Sequence, residues 1–117
     1  MKGTALGREG EEAACRYLEG QGYEVVARNF RAGPGEIDII ASRGDNLAFV
    51  EVKRWNAYSA EELERAVDAR KRTRIRETSK IFLDRHRQYN CRRLRFDLIL
   101  VSGARAVVRH LESALTE

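Results

Sequence analysis

Two short apolar segments joined by a tight polar loop constrain this chain more than any other feature. Glu36 to Ser42 and Leu47 to Arg54 are rich in β-branched and apolar residues, and Arg43-Gly44-Asp45-Asn46 separates them. That pattern predicts a β-hairpin. Closing the loop sets Ser42 against Leu47, so Asp38 falls opposite Glu51 and Glu36 opposite Lys53. Side chains two apart share a strand face, so the four polar residues gather on one patch. Facing Cβ atoms in such a pair lie about 4.5–5.5 Å apart. A slip of one residue would send the whole set to the other face, so the register decides the reading.

The rest of the chain fits around this hairpin. Leu6, Ala13, Ala14, Tyr17 and Leu18 recur at helical spacing, and Gly20-Gln21-Gly22 ends the pattern. Tyr23 to Phe30 reads as a strand, and Arg31 to Gly35 as a turn. Ala60 to about Tyr89 has a helical pattern whose apolar stripe shifts near Asp68 or Arg70, where a break is expected. Leu94 to Ser102 and Ala106 to Leu111 supply two further strands. The fold class expected is α/β, in the order α-β-β-β-α-β-β, with a mixed central sheet flanked by helices. A chain of 117 residues suits one such domain, expected over 1–117.

Charge is unevenly placed. The net charge is +4, from 22 basic and 18 acidic residues. Between Arg65 and Arg95 twelve basic and three acidic residues leave a local excess of nine, so the remainder carries five net negative charges. A basic block of this kind is either a solvated helix face or a grip for a polyanion, most often nucleic acid. Arg54, Lys71, Arg72, Arg74 and Arg76 are the candidates for that contact. No apolar run nears the roughly 20 residues of a membrane span, and the first residues carry no signal-peptide core, so a cytoplasmic, membrane-free protein is expected. Cys15 and Cys91 are too few for a disulfide scaffold and are expected to be small buried hydrophobes. With His86 and His110 they form no zinc-ligand spacing, and both histidines are expected at the surface.

Like charges facing each other across a strand pair destabilise it, so Asp38 opposite Glu51 needs compensation. Lys53, a raised pKa or a bound cation would each supply it. Hard carboxylate oxygens suit Mg²⁺ or Mn²⁺, which bind one or two carboxylates, waters and a substrate phosphate. Asp38 and Glu51 would hold the metal, joined by Glu36 or the Val52 carbonyl, and Lys53 would orient water or stabilise charge on phosphate. The other reading is a surface ladder in which Glu36 and Lys53 form an ordinary ion pair. Asp97 alternates with Phe96 and Leu98 and is expected to anchor a hydrogen-bond network with a neighbouring arginine.

The same residues belong to a set of linked motifs: Gly7-Arg-Glu-Gly-Glu11-Glu-Ala-Ala, Gly22 to Phe30, Gly35-Glu-Ile-Asp-Ile-Ile40, Phe49-Val-Glu-Val-Lys53, Ala66-Val67 with Lys71, and Arg95-Phe-Asp97. Over nearly its whole length the chain resembles the YraN-like family of small bacterial proteins. The resemblance implies a restriction-endonuclease-like PD-(D/E)XK fold similar to archaeal-type Holliday junction resolvases. It implies a metal-dependent nuclease with Glu11, Asp38, Glu51 and Lys53 at its centre, acting on DNA ahead of RNA, including branched or junction DNA. By analogy with resolvases it also raises a homodimer. Trp55 and Glu61 stand where the family usually has a basic residue and a glycine. Two other functions stay open: a non-catalytic nucleic-acid-binding module that keeps the fold, and a protein-interaction subunit.

Overall fold

The computed structural model describes residues 5–55, 68–102 and 107–115. Helix α1 runs Ala5–Gly20, followed by strands β1 (Glu24–Ala32), β2 (Gly35–Arg43) and β3 (Asn46–Trp55). Helix α2 (Ala69–Arg85), a 3-10 turn at Arg87–Tyr89, β4 (Arg93–Ser102) and β5 (Val108–Leu111) complete the order expected from the sequence. The five strands lie in the order β1-β2-β3-β4-β5. β3 and β4 are parallel and the other neighbours antiparallel. A parallel pair needs a crossover connection, and α2 lies on it.

Strand periodicity splits the sheet residues between two faces, each covered by one helix. Ala13, Ala14, Cys15 and Leu18 of α1 pack on Ile39, Ala41, Ala48, Val50, Ile99 and Val101. Ile75 and Phe82 of α2 pack on Ile37, Ile40, Leu47, Phe49 and Phe96. Phe49 is fully buried and lies between the rings of Phe82 and Phe96, at centroid distances of 6.1 and 5.4 Å. Filling a core position of this size contributes roughly 3–5 kcal/mol relative to alanine.

The break expected near Asp68 is the start of α2. Asp68 caps the helix by accepting a hydrogen bond from the Lys71 backbone N–H at 3.0 Å. The expected helical stretch over 60–67 lies outside the described residues, as do Ala106 and Glu61 and the side chain of Trp55. α2 stops at Arg85, earlier than Tyr89, because His86 leaves helical geometry and turns its Nδ1 to the Phe82 carbonyl at 2.9 Å. Among the described residues no helix is long and apolar enough to cross a membrane.

The turn between β1 and β2 sets where α2 lies. Gly33 has φ +58, and a Cβ there would sit 2.6 Å from Ile81 Cδ1. At Gly35 a Cβ would meet Thr78 Oγ1 at 3.1 Å. Thr78 Oγ1 itself donates to the Ala32 carbonyl at 3.1 Å. Two glycines therefore let the hairpin turn lie directly against α2, and the hydroxyl bond pins it there.

Candidate active site

The hairpin register follows the sequence expectation from Arg43↔Asn46 to Ile39↔Val50. Beyond that point the two strands continue with other partners. β2 keeps pairing with β1 through Ile37, Glu36 and Gly35, while β3 keeps pairing with β4 from Glu51 to Trp55. Where they part, Asp38 Oδ2 accepts a hydrogen bond from the Val52 backbone N–H at 2.8 Å. A side-chain carboxylate thus takes a donor that regular pairing would have used. The expected placement of Glu36 against Lys53 does not form. Glu36 Oε2 instead accepts from Arg31 Nε, its neighbour on β1, at 2.5 Å.

The parting of the strands opens a cleft of about 300 Å³, lined by Pro34, Gly35, Glu36, Asp38, Glu51, Lys71, Arg74 and Ile75. Asp38 is only 1% exposed, at its floor. Lys71 reaches in from the first turns of α2, with Nζ 3.2 Å from Glu51 Oε2. Lys53 approaches the same oxygen from β3 at 3.6 Å and is the more open of the two, its side chain 38% exposed against 19% for Lys71. Burial, with Lys53 nearby, lowers the Lys71 pKa below the ordinary lysine range despite the opposing pull of Glu51. The cleft therefore combines three carboxylates with cationic side chains on its wall and rim.

The remaining candidates divide. Glu11 is buried on α1, on the opposite sheet face, whereas Glu9 is exposed and Glu12 pairs with Arg28 at 2.9 Å. A Cβ on Gly10 would lie 3.9 Å from Arg54 Cγ, so this part of α1 crosses β3 just past its Glu51–Lys53 segment. Glu11 is not among the residues lining the cleft. Among the described residues no three Asp, Glu, His or Cys side chains form a ready metal cage. The basic run of α2 does not form one face. Lys71 and Arg74 line the cleft, while the 100° helical step turns Arg72 and Arg76 to the other flank, where both are half-buried. Sequence spacing alone did not separate these residues, because the orienting contact comes from the β1–β2 turn.

A second polar cluster lies on the α1 face. Asp97 is fully buried and accepts hydrogen bonds from Arg95 Nε at 2.9 and 3.0 Å. It also accepts from the Ser113 N–H at 2.9 Å, and His110 Nε2 lies 2.7 Å from its Oδ2. Arg95 further contacts the Tyr23 hydroxyl. An ionised Asp97 accepts from the proton-bearing Nε2 of His110, whose Nδ1 lies 3.1 Å from the Tyr17 hydroxyl. Burial alone would raise the Asp97 pKa, but the bonds from His110, Arg95 and Ser113 outweigh it and hold it below the usual carboxylate range. Asp97 thus anchors the arginine network expected of it. His110 departs from expectation: its side chain is buried, because the short edge strand β5 carries it over Tyr17. Cys15 is buried as expected, but Cys91 is exposed in the turn before β4.

Comparison with known proteins matches residues 10–101 to the description "Uncharacterised protein family UPF0102". A UPF0102 protein of Treponema pallidum (strain Nichols) is 46% identical over 96 residues, covering 82% of this chain and 76% of the relative. One from Solibacter usitatus is 45% identical over 97 residues, covering 81% and 73%. One from Caldicellulosiruptor saccharolyticus is 37% identical over 101 residues, covering 86% and 85%. The match spans the hairpin, the cleft-lining part of α2 and nearly all of β4, so the chain belongs to the uncharacterised protein family UPF0102.

Proposed function

We propose that this protein is a divalent-metal-dependent nuclease of the PD-(D/E)XK type that hydrolyses phosphodiester bonds in DNA. The observation that carries the reading is the cleft itself, lined by Asp38 and Glu51 from the sheet and by Lys71 and Arg74 from α2. The donor set fits Mg²⁺ or Mn²⁺, which bind through one or two carboxylates and complete their shell with water and substrate phosphate. Asp38 and Glu51 would hold the ion; the family resemblance adds Glu11, which stands on α1 outside the residues that line the cleft. Glu36, already tied to Arg31, would shape the rim. When bound, the metal supplies Lewis-acid polarisation of the phosphate and a more acidic water.

The chain's own groups carry the remaining tasks. Val52 N–H fixes the orientation of Asp38. Lys53, half-exposed beside Glu51, would hold the attacking water or the charge that grows on phosphate. Arg74 on the cleft would contact the nucleic-acid backbone, with Arg54 and, on the other flank of α2, Arg72 and Arg76 as further candidates, giving affinity that falls with salt. The motif resemblance to resolvases puts DNA ahead of RNA and brings in branched substrates and a homodimer; a cytoplasmic location remains part of the proposal. The second reading is a non-catalytic nucleic-acid-binding module. It draws on the engagement of Glu51 by two ammonium groups, an arrangement that a degenerate site could also hold.

Cleavage assays on single-stranded, duplex, flap and four-way-junction DNA with Mg²⁺ or Mn²⁺ separate the two. Wild type is expected to cut at least one substrate, and Asp38→Asn or Lys53→Ala to lose about a hundredfold or more in rate. Salt-sensitive binding without cleavage selects the binding module. Absence of any salt-sensitive binding rejects both.

A further inference from the structure

We propose that Lys71 is a built-in placeholder for the metal, an ammonium that balances Glu51 in the free protein and leaves it when a divalent cation and a phosphate arrive. The inference deepens the nuclease reading and rests on it. Its starting point is electrostatic. Asp38 and Glu51 line one cleft, and a metal-free site must find positive charge for them from within the chain. Lys71 does this from an adjacent element, with Nζ 3.2 Å from Glu51 Oε2 and both side chains largely covered.

Its position is fixed at the backbone and loose at the tip. The Lys71 N–H is held by the Asp68 cap, and the β1–β2 turn pins α2 through Gly35 and Thr78. Lys71 lies on the same helix stripe as the buried Ile75, Thr78 and Phe82, so its stem points at the sheet. Four flexible methylenes then let the ammonium swing without moving the helix. A divalent cation on Glu51 would repel the ammonium at a few ångströms, and Arg74 lines the same cleft from the same helix. Moved there, Lys71 and Arg74 would form a two-point grip on a phosphate. Metal and phosphate binding would therefore help each other, each relieving what the other must displace.

The test is Mn²⁺ binding, measured calorimetrically on the whole chain without nucleic acid. Lys71→Met removes the competing charge and is expected to bind Mn²⁺ about fivefold or more tightly than wild type, the effect of one unit charge at about 4 Å under full water screening. Lys71→Gln, which keeps a hydrogen-bond donor toward Glu51, should show the same direction, and Lys80→Met, beside Glu77 on the outer face of α2, should match wild type. Unchanged or weaker Mn²⁺ binding in both Lys71 variants, with wild-type binding intact and lost in Asp38→Asn, overturns the placeholder and leaves the metal reading standing. Mn²⁺ binding that is absent throughout, or insensitive to Asp38→Asn, overturns the metal reading and the placeholder with it.

Discussion

Two acidic clusters lie next to each other in the sheet and are built in opposite ways. Asp97 on β4 pairs in register with Val50, one residue before Glu51 on β3, yet the two carboxylates serve opposite faces. Asp97 is fully buried, and a guanidinium, an imidazole and a backbone N–H surround it at hydrogen-bonding distance. Glu51 opens onto a cleft and is balanced by two lysine ammoniums at 3.2 and 3.6 Å, groups that form no rigid fork. A closed set of directional partners is what a buried charge needs to be structurally useful. Loosely held charge beside a cavity stores unfavourable electrostatics that a ligand can relieve. The first cluster is closed by its own hydrogen bonds, whereas the second leaves its carboxylates on a cleft, the arrangement on which the proposed nuclease reading rests.

Three substitution experiments would sharpen or break that contrast, beginning with the largest effect. Asp97→Ala strands Arg95 and His110 without their anion and should cost about 3–5 kcal/mol in urea unfolding. Glu51→Gln should stay within about 1 kcal/mol of wild type, or gain stability, as expected where a site is kept for function at the expense of stability. Equal losses from the two would remove the distinction.

Acid titration gives the next effect. The folded pKa of Asp97 is lowered, so its contribution is fully present above the unfolded value of about 3.9 and is lost as pH falls through the folded value. Urea midpoints measured from pH 6 down to pH 3 should fall more steeply in wild type than in Asp97→Asn. Parallel curves would show that Asp97 is not the group being protonated.

The smallest effect belongs to the edge of the closed cluster. Tyr17→Phe removes the hydroxyl hydrogen-bonded to His110 Nδ1 and should cost about 0.5–1.5 kcal/mol, the net value of one hydrogen bond. DNA binding and Mn²⁺ affinity should not change, since Tyr17 lies outside the residues that line the cleft. A change in either would connect the two clusters.

Much of this was legible in the chain. Strand positions, the break at Asp68, the hairpin register and the shared face of Asp38 and Glu51 follow from local rules, because a tight loop and a period of two fix which residues face each other. The same rules failed where pairing ended. They placed Asp38 against Glu51 and Glu36 against Lys53, but the β2–β3 ladder stops at Ile39↔Val50 and Glu36 turned to Arg31 on the other neighbouring strand. They also left His110 at the surface, although β5 lays it over Asp97 and Tyr17.

The sequence by itself determined the order of the elements and the hairpin register beside its loop, which depend on neighbours close along the chain. Only the tertiary structure decided that Lys71 and Arg74 complete the cleft while Arg72 and Arg76 turn away. That choice depends on how α2 is rotated against the sheet, and the rotation is set by the glycine turn between β1 and β2, some forty residues earlier. Contacts so distant along the chain leave no periodic trace in it, so a run of basic residues reads the same whichever of them meets the site.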